Sequence, residues 1–424
     1  MRGHLAVATV AAAGLLAATA CGGGPSGGDA TELRMTIWSA NDAHLSLLNG
    51  IADSYRAAHP TIKRITFDPL PSDTYLTTLT TQIAGGNAPD LAWISEAGIG
   101  DFIAAKALVG LDDVLRGTAG YGYDDLLPAA TRLWRSGDRL YAYPFSTSPF
   151  GIFVNTDLFR TAGQPTPAEL IAQGRWTWPN AVAAATAVAT ATGRAGLVVR
   201  DFDYKNWDYL STIWIGWGAQ AWSADGRSCG FTEQPMVDAM TFLHRAVFEQ
   251  HALPGPGAAA DFFAGNAAMT ITQISRASLL PTNGWAWDLV PLPAGPAGSY
   301  SVIGQGAIGV LAKGSHPTAA AEFLAYLTNP ENSAKLAQFF PPPRRSMLTT
   351  DILSRANPLL KPAQLQAVVI DGITSGVVRP GHTNNAELSQ AVRAALDPLW
   401  RPDASVPKVL AGVCTAIGPL LTRR

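Results

Sequence analysis

Of 424 residues, only three are cysteine, seven histidine and six methionine. No Cys or His pair stands at metal-ligand spacing, so neither a structural zinc site nor a metal-dependent hydrolase is expected. Charge is scarce too: Asp, Glu, Lys and Arg make up 15% of the chain and the net charge is -2. That balance gives no basic field for nucleic acid or an anionic membrane surface. Beyond the first twenty residues no run is apolar enough to span a bilayer. HExxH and the P-loop are missing, and no GxGxxG follows the first strand pattern. These absences weigh against an enzyme, and no metal or cofactor is expected.

What is abundant is apolar surface. Hydrophobic residues make up 47% of the chain, enough for two well-packed domains, and there are 12 tryptophans. Tryptophan offers a large flat apolar face with one polar handle, which suits a core or a binding platform.

Residues 1–20 read as a signal peptide. Arg2 and His4 precede an apolar stretch from Leu5 to Leu16, then small residues from Ala17 to Ala20. Cys21 follows, and a small-residue run ending in Cys resembles a bacterial lipobox. The usual leucine three residues before the cysteine is Ala18 here. Residues 21–31 then read as a lipid-anchored flexible tether, GGGPSGGD being its core. Such a leash holds a globular body beside the cell membrane, on its outer side, without crossing it. Two cysteines remain, Cys229 and Cys414. Export permits a disulfide between them, closing a loop of roughly 185 residues; two buried thiols are the alternative.

Apolar periodicity switches repeatedly between two and 3.6. Leu33 to Trp38, Ile62 to Phe67 and Leu91 to Ile94 read as strands. Leu45 to Tyr55, Tyr75 to Ala84 and Phe102 to Leu108 read as helices between and after them. Alternation of this kind predicts an α/β fold with mostly parallel sheet, its binding site at the carboxyl ends of strands. Residues 137–157 read as two extended runs joined at Pro144. Further helices are expected over 176–193, 231–250 and from Pro317 to Tyr326.

Several blocks, in order, carry a resemblance: LRMTIW (33–38), AGGNAPDLAW (84–93), LYAYP (140–144), IFVNTDL (152–158), GNAAMT (265–270) and KGSHPTAAAEFLAYL (313–327). Together the chain resembles extracellular solute-binding protein family 1, the maltose-binding-protein-like sugar-binding lipoproteins of ABC importers. The resemblance implies a two-lobed periplasmic-binding-protein-like (type II) fold with the ligand in a cleft between lobes. Residues 32–144 and 294–340 are expected to form lobe one, and 145–293 and 341–424 lobe two. Cys229 and Cys414 would both lie in lobe two. The partners implied are a small carbohydrate and ABC permease subunits, with a monomeric chain touching the membrane through its lipid anchor alone.

A sugar site needs flat aromatics against its faces and charged or amide groups at its rim. At the end of the first strand Asn41 and Asp42 are candidates, with helix capping as the other reading of Asn41. After the third strand come Trp93, Ser95 and Glu96. The resemblance places an acidic sugar ligand there, which singles out Glu96. It also puts Ser148 at the cleft floor. Lobe two is expected to contribute Trp207 as a stacking platform, with Asp208 and Trp217 nearby; core packing is the alternative for the indoles. Gln273, Ser275 and Arg276 follow the AMT strand, and Gly304 and Gln305 allow close backbone approach. His382, Asn384 and Asn385, in the RPGHTNN stretch, replace an aromatic common in relatives.

With one platform missing and polar groups gained, a mono- or disaccharide is the expected ligand, an amino sugar included. A glycerophosphodiester is the alternative, with Arg276 as its anion partner. A secreted glycoside hydrolase is the alternative from another class. It would need two carboxyl groups flanking one bond.

Overall fold

The computed structural model describes residues 31–72, 74–200, 204–255, 257–258, 260–281, 284–378, 381–382 and 384–422, without the side chains of 204–206. The expected signal peptide, Cys21 and its tether lie outside the described residues, as do Arg379, Pro380 and Thr383.

Strand β1 (Thr31–Ile37) buries Leu33, Met35 and Ile37, the alternate residues of one face. Helix α1 (Asp42–Ala58) follows, then β2 (Ile62–Pro69), α2 (Tyr75–Ala84) and β3 (Leu91–Ser95). The apolar run of β3 is buried on both faces, as a central strand requires. Helix α3 (Ile99–Ala104) is shorter than its apolar pattern suggests. Leu108 leaves the helix to bridge Leu311, and the Val109 N–H donates to the Val310 carbonyl. Sheet pairing overrides helical periodicity here.

A two-residue hairpin, β4 (Arg135–Ser136) with β5 (Arg139–Leu140), leads into β6 (Ala142–Asn155). The sequence suggests a break at Pro144, but β6 is continuous for 14 residues. Its register against β10 (Val302–Val310) shifts between Gly306, opposite Ser146, and Ile308, opposite Tyr143. The bulge absorbs a proline that has no N–H to give the ladder. The remaining strands are β7 (Ala195–Val199), β8 (Ala267–Gln273), β9 (Trp287–Val290) and β11 (Val377–Val378).

The first body has the strand order β2-β1-β3-β10-β6, and the second β9-β6-β8-β7. Pairs β1–β2, β1–β3 and β7–β8 are parallel. Strands β6 and β10 run antiparallel to β3, β8 and β9 where they meet them, and to one another. The sheet is therefore mixed, not mostly parallel. A strand arriving from the other body needs no helical crossover and is free to run in the opposite sense.

Two apolar cores result. Along β6 the change falls between Phe145 and Phe150, and along β10 between Val302 and Ala307. Proline-rich residues 291–293, expected to carry the return crossing, lie before that change, with Leu292 still in the second core. A third passage follows Phe340 of the first core and precedes Leu353 of the second. Up to Ser346 this segment is fastened to the first body. Arg344 is fully buried and donates to the Gly122 and Thr328 carbonyls, and Ser346 bonds the Asp125 carboxylate through both N–H and Oγ.

Cys229 and Cys414 form a disulfide, with Cα atoms 5.5 Å apart. Both pack against the second core. The bond ties the turn after Trp222 to the helix Val406–Leu421, within one body.

Candidate functional site at the junction of the two bodies

Both apolar cores stop at the middle of β6, where Ser146, Thr147 and Ser148 are buried at 8%, 0% and 1% exposure. Buried hydroxyls normally have partners, yet Thr147 Oγ1 has none among the described residues. Ser148 pairs with Gly304 of β10, and its Oγ accepts the Ser275 N–H at 3.1 Å. Gln273, last in β8, lays its amide over Gly304: a Cβ on that glycine would sit 2.0 Å from Gln273 Nε2. Only glycine permits this approach.

Gln305 follows. Its N–H donates to Glu96 Oε1 at 2.7 Å, and its Nε2 donates to the Ala130 carbonyl at 3.0 Å. Its Oε1 is buried and has no protein partner among the described residues. Glu96 itself is 5% exposed, one residue past β3, and Ser95 pairs with Gly306. Arg276 lies just beyond, its guanidinium 5.5 Å from the Phe263 ring. Ser95, Glu96, Ser148, Gln273, Ser275, Gly304 and Gln305 thus gather around the two strands that connect the bodies, while the Arg276 guanidinium lies by Phe263. Ser95, Glu96, Gln273 and Ser275 come from carboxyl ends of β3 and β8, where ligands of open α/β sheets bind, and Ser148, Gly304 and Gln305 lie within β6 and β10.

Three described residues that follow β11 come next: Gly381, His382 and Asn384. Gly381 stands against the Glu96 carbonyl and Leu133 of the first body. His382 Nε2 lies 3.0 Å from the Gly226 carbonyl, its ring edge-on to Trp222. The Asn384 N–H donates to Asp101 Oδ1 at 2.8 Å. Asn385 turns away: it is 5% exposed, and its side chain bonds Ser389 within its own helix.

The other candidates sit elsewhere. Asn41 caps α1, its Oδ1 accepting the Ala43 and His44 N–H groups, and Asp42 is exposed on the first turn. Trp93 is 1% exposed and stacks on Phe145 in the first core at 4.7 Å. Trp207, expected as a platform, is 2% exposed and enclosed by Trp214, Trp222 and Phe231, each 6.0 Å away. Trp217 is half-buried against Phe242 and Trp178, on the helical side of the second body, and Asp208 is half-buried beside Trp207. As placed, Trp93 and Trp207 are core. Full burial gains an indole apolar contact, although the Trp93 Nε1–H finds no partner there among the described residues.

Two more half-buried aromatics lie beside the junction strands, and the first, Trp38, escaped the sequence reading. Trp38, at the end of β1, lies over Gly306, whose added Cβ would be 3.0 Å from the indole, and it meets Tyr75 and Trp93 edge-on. The carboxyl-end rule that selects Glu96 selects Trp38 too. Tyr209 lies 5.7 Å from Phe150, with the Arg200 guanidinium 4.5 Å above its ring. Behind Trp38, His44 is held between Phe339 and Phe340, and burial pushes its imidazole down to about 4.

A separate groove of about 760 Å³ lies at the amino ends of β7 and β8, bounded by Arg194, Phe248, His251 and Asn266. It is at the opposite pole of the second body from Gln273. Among the described residues no group of three or more His, Cys, Asp or Glu is placed to hold a metal ion, and no helix is long and apolar enough to cross a membrane.

The family model described as bacterial extracellular solute-binding protein matches residues 43–334. A putative binding protein of Brucella abortus is 24% identical over 307 residues, 69% of this chain and 70% of its own length. An ABC substrate-binding protein of Listeria monocytogenes, solved in complex with cycloalternan, superposes with a TM-score of 0.81 at 20% identity, covering 93% of this chain and 100% of that one. A Mycobacterium tuberculosis protein in complex with glycerophosphocholine superposes with a TM-score of 0.75 at 18% identity, covering 91% and 97%.

Proposed function

Because the chain belongs to the bacterial extracellular solute-binding protein family, we propose that it captures one small carbohydrate at the junction of its bodies and delivers it, chemically unchanged, to an ABC importer. The carrying observation is the convergence of Glu96, Gln305, Ser148, Gln273 and Ser275, from both bodies, on β6 and β10. Carboxylate, amide and hydroxyl groups in that arrangement suit the hydroxyl rim of a sugar, and charge-assisted bonds to Glu96 supply the strongest anchor. The burial of Trp207, the expected platform, supports a mono- or disaccharide over a long chain, an amino sugar included. Cys21, lipidated, would tether a monomeric receptor outside the cell membrane. Arg276, next in sequence to Ser275, favours a second reading in which the ligand is a glycerophosphodiester.

The mechanism is a shift of population. A ligand touching both bodies favours their closed arrangement by its differential affinity. Going from 1:99 to 99:1 takes about 5.5 kcal/mol. A few bonds to charged groups at roughly 1.5–3 kcal/mol each reach that figure.

The test is a thermal-shift and calorimetric panel of glucose, maltose, trehalose, glucosamine and glycerophosphocholine. One sugar should bind stoichiometrically, without turnover, and raise stability by about 2.7 kcal/mol at a hundredfold excess over Kd. Glu96→Gln keeps the acceptor for the Gln305 N–H but loses the charge, and should weaken that binding at least about tenfold. Turnover of any sugar would make the chain an enzyme. Binding of glycerophosphocholine alone would select the second reading.

A further inference from the structure

The helix Asn385–Leu396 begins at Asn384, whose φ of 68° is left-handed and whose own side chain makes no capping bond. Its N–H is satisfied from the other body, by the Asp101 carboxylate at 2.8 Å. In a capping box that N–H is bonded by an acidic side chain three residues into the same helix. Here the acid is supplied in trans. Asp101 belongs to α3, which packs Ile99 and Phe102 into the first core, while Leu388, Val392 and Leu396 anchor the helix in the second.

We infer that Asp101 is a closure-setting latch: a helix cap donated by one lobe to the other, which forms as the lobes meet and breaks as they part. Three features carry this. A carboxylate at the amino end of a 12-residue helix is held by the helix field as well as by the bond. The two partners are 283 residues apart in the chain and sit on separate cores, between which the chain passes along β6, along β10 and after Phe340. Gly381, three residues before Asn384, stands against the Glu96 carbonyl, so the latch closes beside the polar group of the junction. Asp101 would thus act on affinity without touching the ligand, by adding to the stability of the closed arrangement.

The inference concerns the unliganded chain and is tested without ligand, so failure of the sugar panel leaves it standing. Small-angle X-ray scattering and amide hydrogen exchange are measured on the mature protein and on Asp101→Ala and Asp101→Asn. The expected result is a larger radius of gyration for Asp101→Ala and exchange at the Asn384 amide at least about tenfold faster. Asp101→Asn, which keeps an acceptor oxygen, should fall between. Both variants should melt within a degree or two of the parent, since α3 keeps its packed residues. Scattering curves that superimpose for parent and Asp101→Ala would overturn the latch.

Discussion

Two groups of residues compete for one role, and the fold treats them differently. Glu96, Ser148, Gln273 and Gln305 meet where both cores end. The indoles of Trp207, Trp214 and Trp222 lie inside the second core, Trp207 at 2% exposure. A carboxylate or amide cannot enter an apolar core without partners, so its position in the fold is narrowly constrained. An indole is stabilised by core and ligand alike. Residue type therefore decides how much a strand-end position reveals, and the polar group is the better guide to the site.

The sharpest way to break this comparison is Trp207→Ala. As core, it should lower unfolding stability by about 3–5 kcal/mol in urea titration, with ligand affinity of the folded protein unchanged. A stable variant with weakened affinity would return Trp207 to the site. Next in size, replacing Cys229 and Cys414 with alanine should lower stability by about 2–4 kcal/mol, because the bond closes a loop of 185 residues. The loss should fall on the second body, so hydrogen exchange in β1 and β3 should stay slow. Uniform loss of protection would show that the bodies unfold as one.

The smallest effect concerns the first body. Burial holds His44 at about 4, below its ordinary 6.5. The folded state therefore binds fewer protons than the unfolded one in this window. The stability tied to the neutral ring is present above pH 6.5 and is lost as pH falls toward 4. Its upper bound is about 3 kcal/mol, reduced by residual access of water. As pH falls from 7 toward 4, the parent should lose melting temperature relative to His44→Phe. A constant separation would contradict the assignment.

Much of this architecture was legible in apolar period. The first strands and helices fall within a few residues of the pattern, and the carboxyl-end rule picks out Ser95, Glu96, Gln273 and Ser275. The course of β6 was not legible, because Pro144 reads as a break until its bulge opposite β10 is seen. Nor was the return crossing: the prolines at 291–293 are conspicuous, but the change of core lies on β10, where glycines at 304 and 306 allow Gln273 and Trp38 to approach. The Asp101–Asn384 bond joins residues 283 apart and leaves no local signature.

The most direct measurement is a crystal structure of the chain with the sugar selected by the binding panel. The account predicts hydroxyls within hydrogen-bond distance of Glu96 from the first body and of Gln273 or Ser275 from the second. A sugar seated in the groove beside Arg194 and His251, with the junction untouched, would contradict it.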